Sequence, residues 1–142
     1  NTGVGHDFPG GTIDIGEAWI EFLVLDAEGK QIYASGLVDN EQIVDRQGNH
    51  VWKHDLFNMI GRTYKNIIEA GGTDLVKYNL SIPSWAKSPL TVTATLRYRK
   101  LNTRYAKWAL KDQYTPLPVI DMARDTLIVD VLMEPAALDT TK

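Results

Sequence analysis

The alternation of apolar and polar positions along the chain predicts a protein built mainly from β-strands. In the clearest segment, 90–99, Leu90, Val92 and Leu96 lie on one face, while threonines and arginines occupy the other. Successive side chains alternate across a strand, so this pattern indicates a half-buried strand with one face toward solvent. The segment 74–82 alternates in the same way and is predicted to form a second such strand.

Two further segments, 17–25 and 126–133, carry apolar residues on both faces of the predicted strand. Glu21 interrupts the first segment and Asp130 the second. A strand that is apolar on both faces is typical of a central strand covered on both sides. Between residues 25 and 31 the sequence Asp-Ala-Glu-Gly-Lys predicts a hairpin that leads into a strand over 31–35.

One segment has helical instead of strand periodicity. Asn102 is a suitable capping residue, and Tyr105, Trp108 and Ala109 recur at helical spacing behind it. This arrangement predicts a short helix over 103–111. The segment 54–66 fits either periodicity, and we interpret it as strand and loop.

Together, these elements predict an all-β fold, an immunoglobulin-like or jelly-roll β-sandwich with one short helix. The strands are separated by glycine and proline turns, as in sandwiches. The 142 residues are enough for one domain, 1–142, with an extended amino-terminal arm over 1–15 and a flexible tail over 135–142.

Composition excludes several classes of function. Fifteen basic and eighteen acidic residues give a net charge of −3, which predicts no nucleic-acid or membrane-surface binding. No apolar run is long enough for a membrane span. Without cysteine, the chain has no disulfide, no thiolate ligand and no Cys-x-x-Cys-His haem attachment. Because the sequence begins with Asn, we expect it to be cut from a larger precursor.

The chain lacks the combinations of residues that catalysis requires, so we predict that it is not an enzyme. His50 and His54 lie in strand-like sequence, where residues four apart are separated by about 13 Å and cannot share one zinc ion. No serine lies in a Gly-x-Ser-x-Gly elbow, and Gly3-Val-Gly5 is not followed by the start of a helix.

Two kinds of binding site stay open on sequence grounds. Asp14, Glu17, Asp39 and Asp45 are weak candidates for calcium ligands, although ordinary turn chemistry explains such residues equally well. A carbohydrate-binding β-sandwich is the alternative function, because sandwich modules can present aromatic platforms for sugars. The residues available for such a platform are Trp19, Trp52, Trp85 and Trp108.

The most distinctive motif is Gly-His-Asp-Phe-Pro-Gly-Gly at residues 5–11, which is followed by Ile-Asp-Ile-Gly-Glu-Ala-Trp at 13–19. It resembles the start of the carboxy-terminal β-rich module of bacterial multihaem c-type cytochromes, and the similarity continues through 51–58, 90–100 and 117–123. The resemblance implies an extracellular, cell-surface or periplasmic, non-catalytic sandwich beside a haem-carrying domain. It also implies that His6 is an axial ligand to a haem carried by another segment or chain.

A second hypothesis is self-assembly, as a homo-oligomer or an extracellular filament. An amino-terminal arm whose backbone is unpaired can add as a strand to the exposed sheet edge of a neighbouring copy. Residues 12–15 alternate in the way that strand addition requires. In the alternative, the arm folds back onto its own sheet.

Overall fold

A computed structural model describes residues 1–11, 14–36, 41–44, 46–47, 50–51, 55, 57–59, 61–65 and 67–132, with only the backbone of 41–44, 50 and 61–65. The described chain is mostly antiparallel sheet with one short helix, which agrees with the predicted all-β class. The tail over 135–142 lies outside the described residues.

The strands form two antiparallel sheets. In chain order they are β1 (Glu17–Leu25), β2 (Gln31–Ser35), β3 (Glu41–Val44), β4 (His50–Val51), β5 (Gly61–Lys65), β6 (Leu90–Arg99) and β7 (Ile120–Val129). The larger sheet has the order β2-β1-β6-β7, and the smaller has the order β4-β3-β5. The predictions of strands at 17–25, 31–35 and 90–99 are confirmed.

The two faces of the larger sheet differ in chemistry. One face, which we call the core face, carries the aligned row Tyr33, Val24, Val92 and Leu127 across the four strands. Val24 is completely buried at its centre. The opposite face, which we call the charged face, carries Glu17 of β1 directly opposite Arg99 of β6, and Glu21 of β1 in diagonal contact with Arg97 of β6. Strand alternation places these two chemistries on opposite sides of the same backbone.

The prediction of a strand over 74–82 is wrong, because this segment pairs with no described strand. It instead lies against the core face, where the Tyr78 ring stacks on Phe22 at 4.0 Å between ring centroids. Tyr78 also meets Tyr33 edge-on at 6.3 Å. The alternate side chains of an extended segment can therefore cover a sheet while the backbone of that segment stays outside the sheet's hydrogen-bond ladder.

The predicted central position of 126–133 is also wrong. The strand runs from Ile120 to Val129, pairs with β6 alone among the described strands, and is exposed along its whole length. Its apolar sequence predicts two covering layers. The described residues supply no such cover.

The predicted helix is confirmed as α1 (Thr103–Leu110). The Asn102 side chain accepts a hydrogen bond from the Tyr105 backbone N–H at 2.7 Å, which caps the first turn. The backbone N–H of Asn102 donates to the carbonyl of Ile15, joining the start of the helix to the segment before β1. No helix in the described ranges is long and apolar enough to cross a membrane.

The β1–β2 hairpin is fixed by one buried carboxylate. Asp26 Oδ1 accepts backbone N–H groups of Glu28 and Lys30, each at 2.9 Å. Its Oδ2 accepts the N–H of Lys87 at 3.3 Å. Because Asp26 is only 3% exposed, these bonds replace lost water and join the hairpin to the loop before β6.

Candidate functional site

The segment that contains His6 is folded against its own chain. Phe8 and Ile68 exchange two backbone hydrogen bonds, at 2.8 and 2.7 Å. The Asn1 side-chain amide donates to the carbonyl oxygens of His6 and Ile68, both at 2.9 Å. This part of the arm is therefore folded back, but its backbone pairs with Ile68 at an isolated bridge outside the named strands and not with a strand of either sheet. Residues 12 and 13 of the predicted strand donor lie outside the described residues.

The His6 side chain is exposed, and the backbone fixes its orientation. Its Nδ1 lies 2.8 Å from the carbonyl oxygen of Asp7. A carbonyl oxygen only accepts hydrogen bonds, so this contact places the proton of the neutral imidazole on Nδ1. The lone pair is then on Nε2, which has no hydrogen-bond partner within the described part of the chain.

Gly10 leaves the space that the His6 ring occupies. A Cβ atom at this position would lie 2.8 Å from His6 Nδ1 and 2.8 Å from the carbonyl oxygen of Asp7. Any larger residue would have to displace the ring or the carbonyl. Sequence reasoning did not assign a role to Gly10, although the glycine pair after Pro9 signalled a constrained turn.

An apolar cavity of about 240 Å³ lies between the motif and the core face. Phe8 and Pro9 form part of its wall, and Pro9 is buried. The remaining lining residues come from the sheet and from the segments that cover it: Ala18, Trp19, Ile20, Ser35, Gly36, Ile68, Asp74, Val76, Tyr78 and Leu96. The residues after His6 are thus anchored on the sheet, while the imidazole itself is in solvent.

An imidazole held in this way can act as a metal ligand. Its Nδ1–H donates to the Asp7 carbonyl, and its Nε2 is on the side of the ring that faces away from this hydrogen bond. No group of three or more His, Asp or Glu side chains converges among the described residues, so they form no metal site by themselves. A haem needs only axial ligands from protein, since the porphyrin supplies the other four. The geometry of His6 fits that requirement.

Two of the four calcium candidates, Asp14 and Glu17, lie among the described residues, and neither belongs to a group there of three or more side chains that could hold a metal ion. Glu17 Oε2 accepts a hydrogen bond from Arg99 Nε at 2.7 Å, so a cationic side chain already occupies this carboxylate. Asp14 lies before β1, and its carbonyl accepts a hydrogen bond from the Asn102 side chain at 3.3 Å. Asp39 and Asp45 lie outside the described residues.

The remaining candidates are dispersed. His50 lies in β4, and His54 and Trp52 are outside the described residues. Trp19 lines the cavity, Lys30 Nζ lies 3.5 Å above the ring of Trp85, and Trp108 packs beside Tyr105 on α1. The three described tryptophans therefore lie in different parts of the chain, namely β1, a turn before β6 and α1.

No protein-family model, curated protein or solved structure matches this chain. The similarity of residues 5–19 to multihaem cytochromes therefore stays a prediction, and the function has to be argued from the site.

Proposed function

We propose that this chain is a non-catalytic interaction module in which His6 serves as an axial ligand to a haem carried by another segment or another chain. The observation that carries the proposal is the contact between His6 Nδ1 and the Asp7 carbonyl at 2.8 Å. This contact leaves the Nε2 lone pair available on an exposed, oriented ring. The bound haem would supply one-electron redox chemistry.

Each neighbouring residue has a defined part in this proposal. The Asp7 carbonyl accepts the Nδ1 proton and thereby selects the tautomer that can coordinate iron through Nε2. Gly10 leaves room for the ring beside that carbonyl. The Phe8–Ile68 bridge fixes the turn against the chain. The imidazole is therefore preorganised before it meets the haem, so less conformational entropy is lost on binding.

The proposal includes a scaffold and a location. The scaffold would be an immunoglobulin-like or jelly-roll β-sandwich, and the location would be periplasmic, cell-surface or extracellular, next to a haem domain. Support for the location comes from the sequence motif at 5–11. Because residues 1–142 contain no Cys-x-x-Cys-His, a c-type haem beside His6 would be carried by another segment or another chain.

An absorption titration tests the role of His6. The probe is a ferric c-type haem peptide that carries its own proximal histidine, so one axial position remains for the protein. Binding through His6 should convert the haem to a low-spin species with a shifted Soret band. The His6→Ala variant should lose this conversion, because it removes the only described exposed imidazole at the turn.

His50→Ala is the matched control, since it removes a histidine outside the motif and should bind the haem peptide as the unmodified chain does. Far-ultraviolet circular dichroism establishes that each variant is folded. A Soret shift of equal size in His6→Ala, or no shift in the unmodified chain, would disprove the proposed function.

A further inference from the structure

The outer edge of β7 is a long strand edge with apolar residues on both faces. Leu127 is 63% exposed on the core face, and Ile128 is 60% exposed on the opposite face. No described strand pairs with this edge. Exposed edges of this length and composition are pairing sites for other strands.

The other edge of the same sheet, formed by β2, is likewise unpaired among the described strands. Ala34 is exposed there, and the five residues Gln31–Ser35 include no charged side chain. An edge strand without charge lacks the usual protection against strand addition.

The directions of the two edge strands are complementary. The sheet has four strands and every pairing in it is antiparallel, so β2 and β7 run in opposite directions. A second copy, shifted across the sheet without being turned over, would present β2 antiparallel to β7 of the first. Its core face would also lie on the same side as that of the first copy.

We propose that a second copy of this chain adds its β2 to β7, so that the larger sheet continues head-to-tail from copy to copy. Such a contact is heterologous and does not close on itself, so it can propagate into a filament. The contact does not depend on the function of His6. In this proposal the strand that joins copies is β2 and not the amino-terminal arm. The arm is folded against its own chain up to Phe8.

The rows of side chains in the sheet specify a register for this contact. One row runs Ser35, Phe22, Ala94, Asp125, and the next row runs Ala34, Leu23, Thr93, Thr126. Continuing the rows into the second copy sets Asp125 opposite Ser35 and Thr126 opposite Ala34. No like charges meet in these rows.

The third row of this register is apolar on both sides of the contact. It runs Tyr33, Val24, Val92, Leu127, and its continuation sets Leu127 opposite Tyr33 of the second copy. Beyond it, β2 has a bulge, and the next row runs Gln31, Leu25, Thr91, Ile128, so that its continuation sets Ile128 opposite Gln31. An apolar pair within the strands and the absence of like charges in these rows favour this register.

Pairing of β7 with β7 of a second copy is less favourable. If the two β7 strands are related by a two-fold axis perpendicular to the sheet, one residue of β7 lies opposite the same residue of the second copy. In the two registers in which this residue is at the middle of the strand, Arg124 lies opposite Arg124 or Asp125 lies opposite Asp125. Like charges directly opposite each other destabilise a strand pair. The sequence of β7 thus disfavours the two β7–β7 registers that would pair nearly the whole strand.

Sedimentation velocity on variants of the two edges tests the proposal. The unmodified chain should form a concentration-dependent series of oligomers. The Leu127→Lys substitution places a charge on β7 opposite Tyr33 of the neighbouring copy. The Ala34→Lys substitution places a positive charge on β2 at a position diagonal to Arg124 of the neighbouring copy. Each variant alone should be monomeric. An equimolar mixture should form a dimer and no larger species, because each variant retains the edge that the other lacks.

Leu75→Lys is the matched control, since Leu75 is 77% exposed outside the strands and its replacement should leave the oligomers unchanged. Circular dichroism confirms that the variants are folded. The proposal is overturned if the unmodified chain is monomeric at all concentrations. It is also overturned if Leu127→Lys dissociates the oligomers while Ala34→Lys does not, which is the β7–β7 result.

Discussion

At the residue scale, Gly10 tests whether the orientation of His6 matters or only its presence. In Gly10→Ala the new methyl group would lie 2.8 Å from both Nδ1 and the Asp7 carbonyl oxygen, so the ring or the carbonyl must shift and their contact is disturbed. We expect the haem peptide to bind at least about tenfold more weakly, equivalent to about 1.4 kcal/mol. Gly5→Ala is the control, because a Cβ there has no neighbouring atom within 4 Å. Equal affinities in the two variants would contradict the positioning role of Gly10.

Asp26 gives a prediction about acid stability. The hydrogen bond from the Lys30 N–H is the main cause that lowers the pKa of Asp26 below its usual 3.8; burial opposes this effect, and the N–H groups of Lys87 and Glu28 add to it. A lowered folded-state pKa stabilises the fold above the unfolded pKa, and this contribution is lost as the pH falls through the folded value.

The Asp26→Asn variant should therefore have a lower free energy of unfolding than the unmodified chain at pH 7. As the pH falls below 3.8, the free energy of unfolding should decrease less in the variant than in the unmodified chain. Urea unfolding followed across this pH range measures both effects. Asp130→Asn, at an exposed position, is the control and should alter stability at pH 7 little. An acid response that is the same in Asp26→Asn as in the unmodified chain would refute the role assigned to this carboxylate.

The sequence identified His6 as a candidate because of its motif, but it could not identify the hydrogen bond that selects its tautomer. Nor could it show that Glu17, a calcium candidate, pairs with Arg99. That pairing depends on the register between β1 and β6, which are separated in the chain by residues 26–89. Chemistry that is local in sequence could be predicted, whereas contacts set by strand register could not.

At the element scale, ion pairs on the charged face join β1, β6 and β7. Arg99 pairs with Glu17, and Arg97 bonds both Glu21 and Asp121. These charges lie opposite each other because the register of β6 aligns its arginines with acidic residues on both neighbouring strands. The pairs thereby favour the native register over a shifted one.

The Glu17–Arg99 pair should contribute measurably to stability. Its side chains are 12% and 19% exposed, so solvent screens it weakly. We expect a coupling energy of about 2 kcal/mol from a double-mutant cycle with alanine, measured by urea unfolding. The Glu28–Lys87 pair, with side chains 61% and 60% exposed, should give about 0.5 kcal/mol or less. Similar couplings for the two pairs would mean that burial does not determine their strength.

The elements that depend on local sequence signals were predicted correctly, namely β1, β2, β6 and α1. Alternation, a glycine hairpin and an asparagine cap are sufficient to specify each of them. The position of β7 could not be predicted, because an apolar strand does not encode which element covers it. The segment 74–82 has strand-like alternation, yet its side chains pack on the sheet while its backbone stays outside the ladder.

At the scale of the whole molecule, the described core is thin. Besides Pro9, six apolar residues are buried among the described ones, three of them alanine: Ile15, Ala18, Val24, Ala86, Leu90 and Ala106. At the same time β7 exposes large apolar side chains on both faces. Association through the sheet edges would cover part of this surface, and a head-to-tail array would repeat His6 once in every copy.

The central claim is that His6 Nε2 coordinates a haem iron supplied by a partner. Pulsed electron paramagnetic resonance of the ferric haem peptide bound to protein with ¹⁵N-labelled histidine tests it directly. We predict a low-spin signal with a ¹⁵N hyperfine coupling that His6→Ala removes and His50→Ala retains. A low-spin signal without ¹⁵N coupling, or one that persists in His6→Ala, would contradict the claim.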